Sequence, residues 1–373
     1  MTDDSRPSSL LDSAHDLLPA MVDAVEALVS VESPSHDVEA CTAVATEAVG
    51  VFAGWVPEPA RVEEHGGRPV WRWGPDQPRV LLLGHLDTVW PIGSLARLPF
   101  TADGSRITGP GCFDMKAGVV QGWAAIALLG LTEADGVGMV LTTDEEIGSH
   151  ASRGVLASAS SHAEAVYVLE PSIDGALKTA RKGTSWYVCE FTGRAAHAGL
   201  DPEKGVNALQ AAAELALACS AWASAADGTT VTPTLLDAGT TSNTVPARAG
   251  LTVDVRAWTA AEQQRVDAGF RSWTPSNGAR LTITGGIDRP ALEAASSAAL
   301  FDRARAAAGV LGLPHLDGRA VGGASDGNLT AAAGHPTLDG LGAVGDGAHA
   351  DHEWVSIPAM AERAALLATL LQN

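Results

Sequence analysis

Five short stretches of the chain each place a histidine or a carboxylate directly after an apolar run: His85 and Asp87 in LLLGHLDTVW, Asp114 in GPGCFDMKAG, Glu145 and Glu146 in LTTDEEIGS, Glu170 in YVLEPS, and His349 in GAHADHEWV. Imidazole nitrogens and carboxylate oxygens together are the donor set that holds zinc and similar divalent ions. Each stretch has a bland alternative: a surface His-Asp pair in a turn, an aspartate capping the next helix, a solvated acidic turn. Five in order with glycine punctuation point instead to one site holding two metal ions. Its chemistry would be hydrolysis, with paired ions acidifying a water and a spare carboxylate moving its proton.

His85 and Asp87 stand two apart at a strand end, so both leave the same face, and Asp87 can orient the imidazole or hold a nearby base. Asp114, bracketed by glycines that permit close backbone approach, can present both oxygens to two cations. Alternation after a strand would send Glu145 and Glu146 in different directions, one to a metal and one to a water.

Those residues need a scaffold that gathers strand ends. The first half alternates helical spacing (17–29, 38–52, 116–131) with short buried strands (79–83, 138–143, 165–169), the pattern of a mainly parallel sheet with helices on both faces. In such α/β sheets ligands collect at the carboxyl ends of strands, where these acids fall. From about Leu177 the order becomes strand 184–192, helix 205–223, strands 229–238 and 250–258, helix 260–272, strand 279–284. That is the β-α-β-β-α-β order of a ferredoxin-like α+β unit. The predicted organisation is a catalytic domain in two parts, 1–176 and 288–373, with an inserted domain at 177–287, its exit marked by the hinge-like run Gly285-Gly286-Ile287-Asp288-Arg289-Pro290.

Composition narrows the function. The 373 residues, 46% hydrophobic, can bury two cores, and a formal net charge of -20 argues against nucleic acid. Four scattered cysteines, Cys41, Cys112, Cys189 and Cys219, read as reduced core thiols. The N-terminal MTDDSRPSSLLDSAHDLLP has acids where a secretory leader has bases, and no apolar run is expected to approach the roughly 18 residues of a membrane span. A cytoplasmic protein without membrane association is the expectation.

GHLDTV, GPGCFDMKAG, TTDEEIGS, LEPS, GRAAHAG, GVNAL, SNTVPARA, DVR, GGASD, HPTLDGLG and GAHADHEWV together resemble the co-catalytic zinc metallopeptidase family that includes carboxypeptidase G, acetylornithine deacetylase, succinyl-diaminopimelate desuccinylase and aminoacylase. The likeness covers essentially the whole chain and is greatest to the carboxypeptidase G branch, because Glu170 stands where other branches have aspartate. It implies a zinc-peptidase-like α/β domain with an inserted lid that also dimerises.

Residue by residue, the resemblance makes Asp114 a bridge between two Zn²⁺, with Glu146 and His349 completing one site and His85 and Glu170 the other; Co²⁺ or Mn²⁺ could substitute. Asp87 matches the acid beside the first histidine and Glu145 the general base that deprotonates the water between the ions. His197 of GRAAHAG matches a histidine that supplies a hydrogen bond to the oxyanion, Arg289 an arginine gripping the substrate carboxylate, and Asn243 a polar lid contact. A cis peptide after Asp114 is implied as well. Glu353, following at the family spacing, favours His349 over His352, while His150, His162, His315 and His335 read as structural or surface residues. Arg181, Lys182, Ser325 and Asp326 carry no assignment. Three carboxylates and one hydroxide would neutralise two Zn²⁺, whereas carboxylates at ~4 Å without cations would repel by roughly 4 kcal/mol per pair at an effective dielectric of 20.

The substrate implied is a small N-acyl amino acid or short peptide, cleaved at its amide to release a free amino acid, glutamate-like as a first guess. The alternatives are an N-acyl-amino-acid deacylase of the acetylornithine deacetylase or aminoacylase type, and a non-catalytic binding relative. Against the last stands Glu145, since a binding protein needs ligands but no base.

Overall fold

The computed structural model describes residues 9–372, so the reading of the first eight residues as part of a non-leader lies outside the described residues. The chain divides into two compact units, one of residues up to Ala180 with Ala294–Val321 and from Ser325 onward, the other Arg181–Glu293 with Gly322–Ala324. Both junctions fall a few residues after the predicted 176/177 and 287/288. The strand Leu177–Arg181 pairs with Gly318–Val321 of the first unit. At the exit the glycines do not end a strand. Strand Arg280–Arg289 runs through Gly285 and Gly286, both at positive φ, with a register shift between Ile287 and Arg289.

In the first unit, β1 (Arg61–His65), β2 (Arg68–Trp73), β3 (Val80–His85), β4 (Val137–Thr142), β5 (Ala165–Val168) and a later strand (Thr337–Leu338) form one sheet in the order β1-β2-β4-β3-β5 followed by that strand. The last four are mutually parallel; the β1–β2 hairpin adds antiparallel at one edge. Because side chains alternate along a strand, the continuous apolar runs feed two cores. Val80, Leu82, Met139, Leu141 and Tyr167 enter the larger one with helices Leu18–Ser30, Val38–Phe52, Ala117–Leu129 and Ile357–Leu371, while Leu81, Leu83, Val140, Val166 and Val168 enter the smaller one with helix Arg153–Ser160. Helices thus cover both faces of a mainly parallel sheet, and β3, β4 and β5 all point their carboxyl ends the same way.

The stretch Cys112–Leu129, 18 residues, is long and apolar enough by length and composition to cross a membrane, which corrects the expectation that no such run exists. It is 78% buried in the protein, the property of a central core helix. All four cysteines are free and buried.

The second unit runs β6 (Gly183–Thr192), helix Ala208–Trp222, β7 (Thr230–Ala238), β8 (Arg248–Ala257), helix Ala260–Ser272 and β9 (Arg280–Arg289), with the antiparallel sheet order β7-β8-β6-β9. This is the ferredoxin-like arrangement. Tyr187, Cys189 and Phe191 of β6 face one side at every second position and pack under the two helices, Tyr187 stacking on Phe270 at 3.9 Å between ring centroids.

Candidate metal centre

Seven of the predicted site residues meet at the carboxyl ends of β3, β4 and β5. His85 is the last residue of β3 and is 1% exposed; its Nδ1 lies 2.9 Å from the main-chain oxygen of Asp87. A proton donated there fixes the tautomer and leaves the Nε2 lone pair for a metal. The ring is therefore oriented by Asp87's carbonyl, while the Asp87 carboxylate, fully buried, accepts from the backbone N–H of Glu145 at 3.3 Å and of Glu146 at 3.2 Å. The carboxylate serves both roles open to Asp87, since its Oδ1 also lies 3.5 Å from His85 Nδ1.

That turn is not strand. β4 stops at Thr142 and Glu145–Ile147 form a 3₁₀ turn, so helical geometry rather than alternation separates Glu145 from Glu146. Asp144, 1% exposed, shapes it by accepting from the N–H of Ala151 (2.8 Å) and Ser152 (3.3 Å).

Asp114 does not cap a helix. It sits at φ -114, ψ 93 inside a wide turn, Cys112–Lys116, and the Asp114-Met115 peptide is cis. Its two oxygens diverge: Oδ1 lies 3.3 Å from His85 Nε2 and Oδ2 lies 3.4 Å from His349 Nε2. Glu170 Oε1 stands 3.6 Å from His85 Nε2, and Glu146 Oε1 stands 3.1 Å from His349 Nε2. Two ligands at zinc bond lengths and the tetrahedral angle stand roughly 3.3–3.6 Å apart; three of these separations fall in that range and the Glu146–His349 one, at 3.1 Å, is slightly shorter. His85 Nε2 and Asp114 Oδ1 are buried without hydrogen-bond partners among the described residues, a costly arrangement that a cation between them would relieve. Ligand atoms of His85, Asp114 and Glu146 form one group, those of His85, Glu145 and Glu170 another, each within 4.8 Å. Glu145, 7% exposed, is itself a member of the second group.

The electrostatics agree. Asp114 and Glu146 raise the His349 imidazole to about 10, and Asp114, Asp87 and Glu170 overcome burial to hold His85 well above its usual value. Burial raises Glu146, while for Asp114 the two histidines outweigh burial and Glu170 and lower it. Each histidine thus attracts positive charge strongly.

Sequence reasoning did not single out Lys178, Lys116 or Asp339, and it left Asp326 without an assignment. Lys178, 6% exposed, sets its Nζ 3.4 Å from Glu170 Oε2. Lys116, 1% exposed, donates to the carbonyls of Leu28 (2.8 Å) and Val31 (3.0 Å) at the end of helix Leu18–Ser30; burial lowers it to about 8. Asp326 accepts from Thr142 Oγ1 at 3.0 Å and Asp339 from Ser325 Oγ at 2.6 Å, so the GGASD loop is tied into the fold. A lysine inside an apolar strand or helix start was the available signal for the first two. A cavity of about 580 Å³ opens beside Asp114, walled by Phe113, Ser172, Lys178, Gly347 and the exposed His352.

His197, Asn243 and Arg289 belong to the second unit. His197 and Thr244 form a β-bridge, Ala198 N–H donates to Asn243 O at 2.9 Å, and both His197 and Asn243 are exposed. His197 Nδ1 accepts from Gly199 N–H at 3.1 Å, which leaves Nε2 as the donor. Arg289 ends β9 and is 5% exposed, its carbonyl accepting from Gln263.

Residues 81–373 match the model of peptidase family M20/M25/M40. Carboxypeptidase G2 of Pseudomonas sp. (strain RS-16) is 30% identical over an alignment of 402 residues, covering 99% of this chain and 92% of the relative. A p-aminobenzoyl-glutamate hydrolase chain of Escherichia coli (strain K12) is 46% identical over 74 residues, 20% of this chain and 17% of that protein. Among solved structures, aminopeptidase PepT from Bacillus cereus superposes with a TM-score of 0.71 at 22% identity, covering 95% of this chain and 98% of that one; an M20 metallo-carboxypeptidase from Sulfolobus solfataricus gives 0.70 at 15%, covering 94% and 98%. The chain is a metallo-hydrolase of peptidase family M20/M25/M40.

Proposed function

We propose that this protein hydrolyses the amide bond of an N-acyl amino acid or the C-terminal bond of a short peptide, releasing an amino acid with a free carboxylate. The carrying observation is the divergent pair of Asp114 oxygens, each facing a histidine Nε2, with one oxygen and one nitrogen buried and unpartnered. The residues fit two divalent ions, most simply zinc: His85 and Glu170 would hold one, Glu146 and His349 the other, and Asp114 would offer an oxygen to each. When bound, such a pair supplies Lewis acidity that makes a water acidic near neutral pH and polarises an amide carbonyl.

The remaining steps belong to the chain's own groups. Glu145 Oε takes the proton of the attacking water and gives it to the leaving nitrogen, so the amine departs neutral. Asp87 holds Glu145 and Glu146 in place through their backbone N–H groups. His197 Nε2–H is a donor of the kind an oxyanion needs, Arg289 carries the fork that grips a carboxylate in two hydrogen bonds, and Asn243 adds a polar contact. Release of a C-terminal residue is supported by the name of the carboxypeptidase relative, and a glutamate-like product by that of the p-aminobenzoyl-glutamate hydrolase. Homodimerisation through the second unit is supported by β7, an edge strand exposing Leu235 (67%) and Leu236 (49%); a monomeric mass by light scattering would remove it.

The test is metal analysis of purified protein, then end-point hydrolysis of N-acyl amino acids varied on both sides of the bond. For Glu145→Ala the expected result is retained metal with hydrolysis lowered by at least ~10²-fold. Turnover at the wild-type rate would strip Glu145 of its role, and a wild-type protein that takes up no divalent metal would sink the reading.

A further inference from the structure

The bridging aspartate needs something to hold it. Its loop leaves the short strand Arg106–Thr108 and turns through Gly109, Gly111 and Cys112 before reaching Asp114. Few of its own backbone groups secure it: Cys112 N–H donates to Gly109 O at 3.1 Å and Lys116 N–H to Gly111 O at 3.1 Å. Three more N–H groups of the loop converge on one side chain from far along the chain. Glu353, 3% exposed, accepts at Oε2 from Gly111 N–H (2.9 Å) and Trp90 Nε1–H (3.0 Å), and at Oε1 from Phe113 N–H (2.8 Å) and Asp114 N–H (3.0 Å).

Four donors on two oxygens fill a buried carboxylate, and hydrogen bonds to a charged acceptor are about twice as strong as neutral ones. The donors on Oε1 include the main chain of the ligand residue itself. The same glutamate closes the loop of the other histidine: Glu353 N–H donates to Ala350 O at 2.9 Å. A Cβ at Gly347, which has φ +86, would meet Glu353 N at 2.9 Å, so the turn carrying His349 lies directly against it. The loop also has little room to reroute, since a Cβ at Gly111 would lie 2.5 Å from Thr88 Cγ2.

We infer that Glu353 is a positioning residue of the metal centre: one carboxylate ties the loop of Asp114 to the loop of His349 and so fixes the spacing of two ligands. The inference rests on the metal reading above. Substitution by glutamine keeps the shape but turns one acceptor into an N–H₂ donor facing N–H donors. That breaks the clasp on one edge without opening a cavity. Partners behind metal ligands typically matter by ~10–100-fold in metal affinity.

The experiment is chelator-competition titration of zinc on wild type and Glu353→Gln, with circular dichroism of both zinc-free proteins. Wild-type protein that binds no zinc refutes the metal reading itself. With zinc bound by wild type, the expected result is a ~10- to 100-fold weaker zinc affinity in the folded variant, with turnover recovering in excess zinc. Unchanged zinc affinity with only a lowered melting temperature would overturn the inference, leaving Glu353 a fold residue. If Glu353→Gln does not fold, Glu353→Asp decides: its shorter arm keeps the charge but cannot reach both edges, so weakened zinc binding supports the role and wild-type affinity removes it.

Discussion

Replacing Gly118 by alanine sets helix propensity against the metal centre. Gly118 is the second residue of helix Ala117–Leu129, four after Asp114, and alanine in a helix is favoured over glycine by about 1 kcal/mol. A Cβ there would stand 2.1 Å from Leu169 O and 3.2 Å from Gly342 Cα. A Cβ at Gly342 would meet the same Leu169 oxygen at 2.1 Å and Glu170 O at 2.9 Å. The two glycines therefore grip the backbone that leads into Glu170, and every atom in the way is main chain. To restore ordinary contact at 3.4 Å the elements must part by about 1.3 Å, whereas metal sites tolerate ligand displacements of about 0.2 Å. One partner carries Asp114 and the other Glu170, so the shift falls between two ligands. Overpacking of this kind costs typically about 1–3 kcal/mol, at least cancelling the propensity gain. The expected outcome is a lower melting temperature and zinc affinity reduced at least tenfold, read by thermal circular dichroism and chelator competition. An alanine variant that melts higher and binds zinc normally would refute the reasoning.

Zinc binding should strengthen with pH. In zinc-free protein His349, raised to about 10 by Asp114 and Glu146, and His85, also raised, hold protons at neutral pH, and a metal must displace them. Because the free state binds more protons, affinity rises by up to ~tenfold per pH unit for each proton released, the His349 part levelling off near pH 10. Titration calorimetry in buffers of different ionisation enthalpy counts those protons, and a pH-independent affinity between about 6 and 8 would contradict the site. For Arg289→Ala, KM for carboxylate-bearing substrates should rise while metal content stays at wild type; an unchanged KM removes Arg289 from substrate binding.

The sequence made the scaffold legible where burial imposes pattern. Val38–Phe52 and Ala260–Ser272 are helices over the residues their spacing implies, and the apolar runs before His85, Glu145 and Glu170 are parallel strands. It was less informative where partners are distant. The β1–β2 hairpin and the strand Thr337–Leu338 are short and mixed in composition, and they exist because the sheet offers them an edge. The Gly285-Gly286 pair looked like a hinge, but positive φ inside a paired strand uses glycine as well as a break does.

For the site, the ligands could be recognised because their chemistry is in their side chains, and Asp87 and Glu353 were noticed beside them, but which groups the supports touch could not be read. Asp87 acts on main-chain N–H groups, Lys116 on main-chain carbonyls, Glu353 on three loop amides, and Gly118 and Gly342 by lacking an atom. Backbone groups are the same at every position, so no residue pattern marks which of them a distant side chain will meet. The supports also act on the ligands' own loops: the three amides on Glu353 belong to the Asp114 loop, and the two on Asp87 to Glu145 and Glu146. Substitutions among them should therefore show first in metal affinity. Arg289, Asn243 and His197, which lie in the other unit, should show first in substrate affinity or turnover. That separation gives each class of variant its own measurement, and a substrate-side variant that lost metal would show the two functions to be mechanically joined.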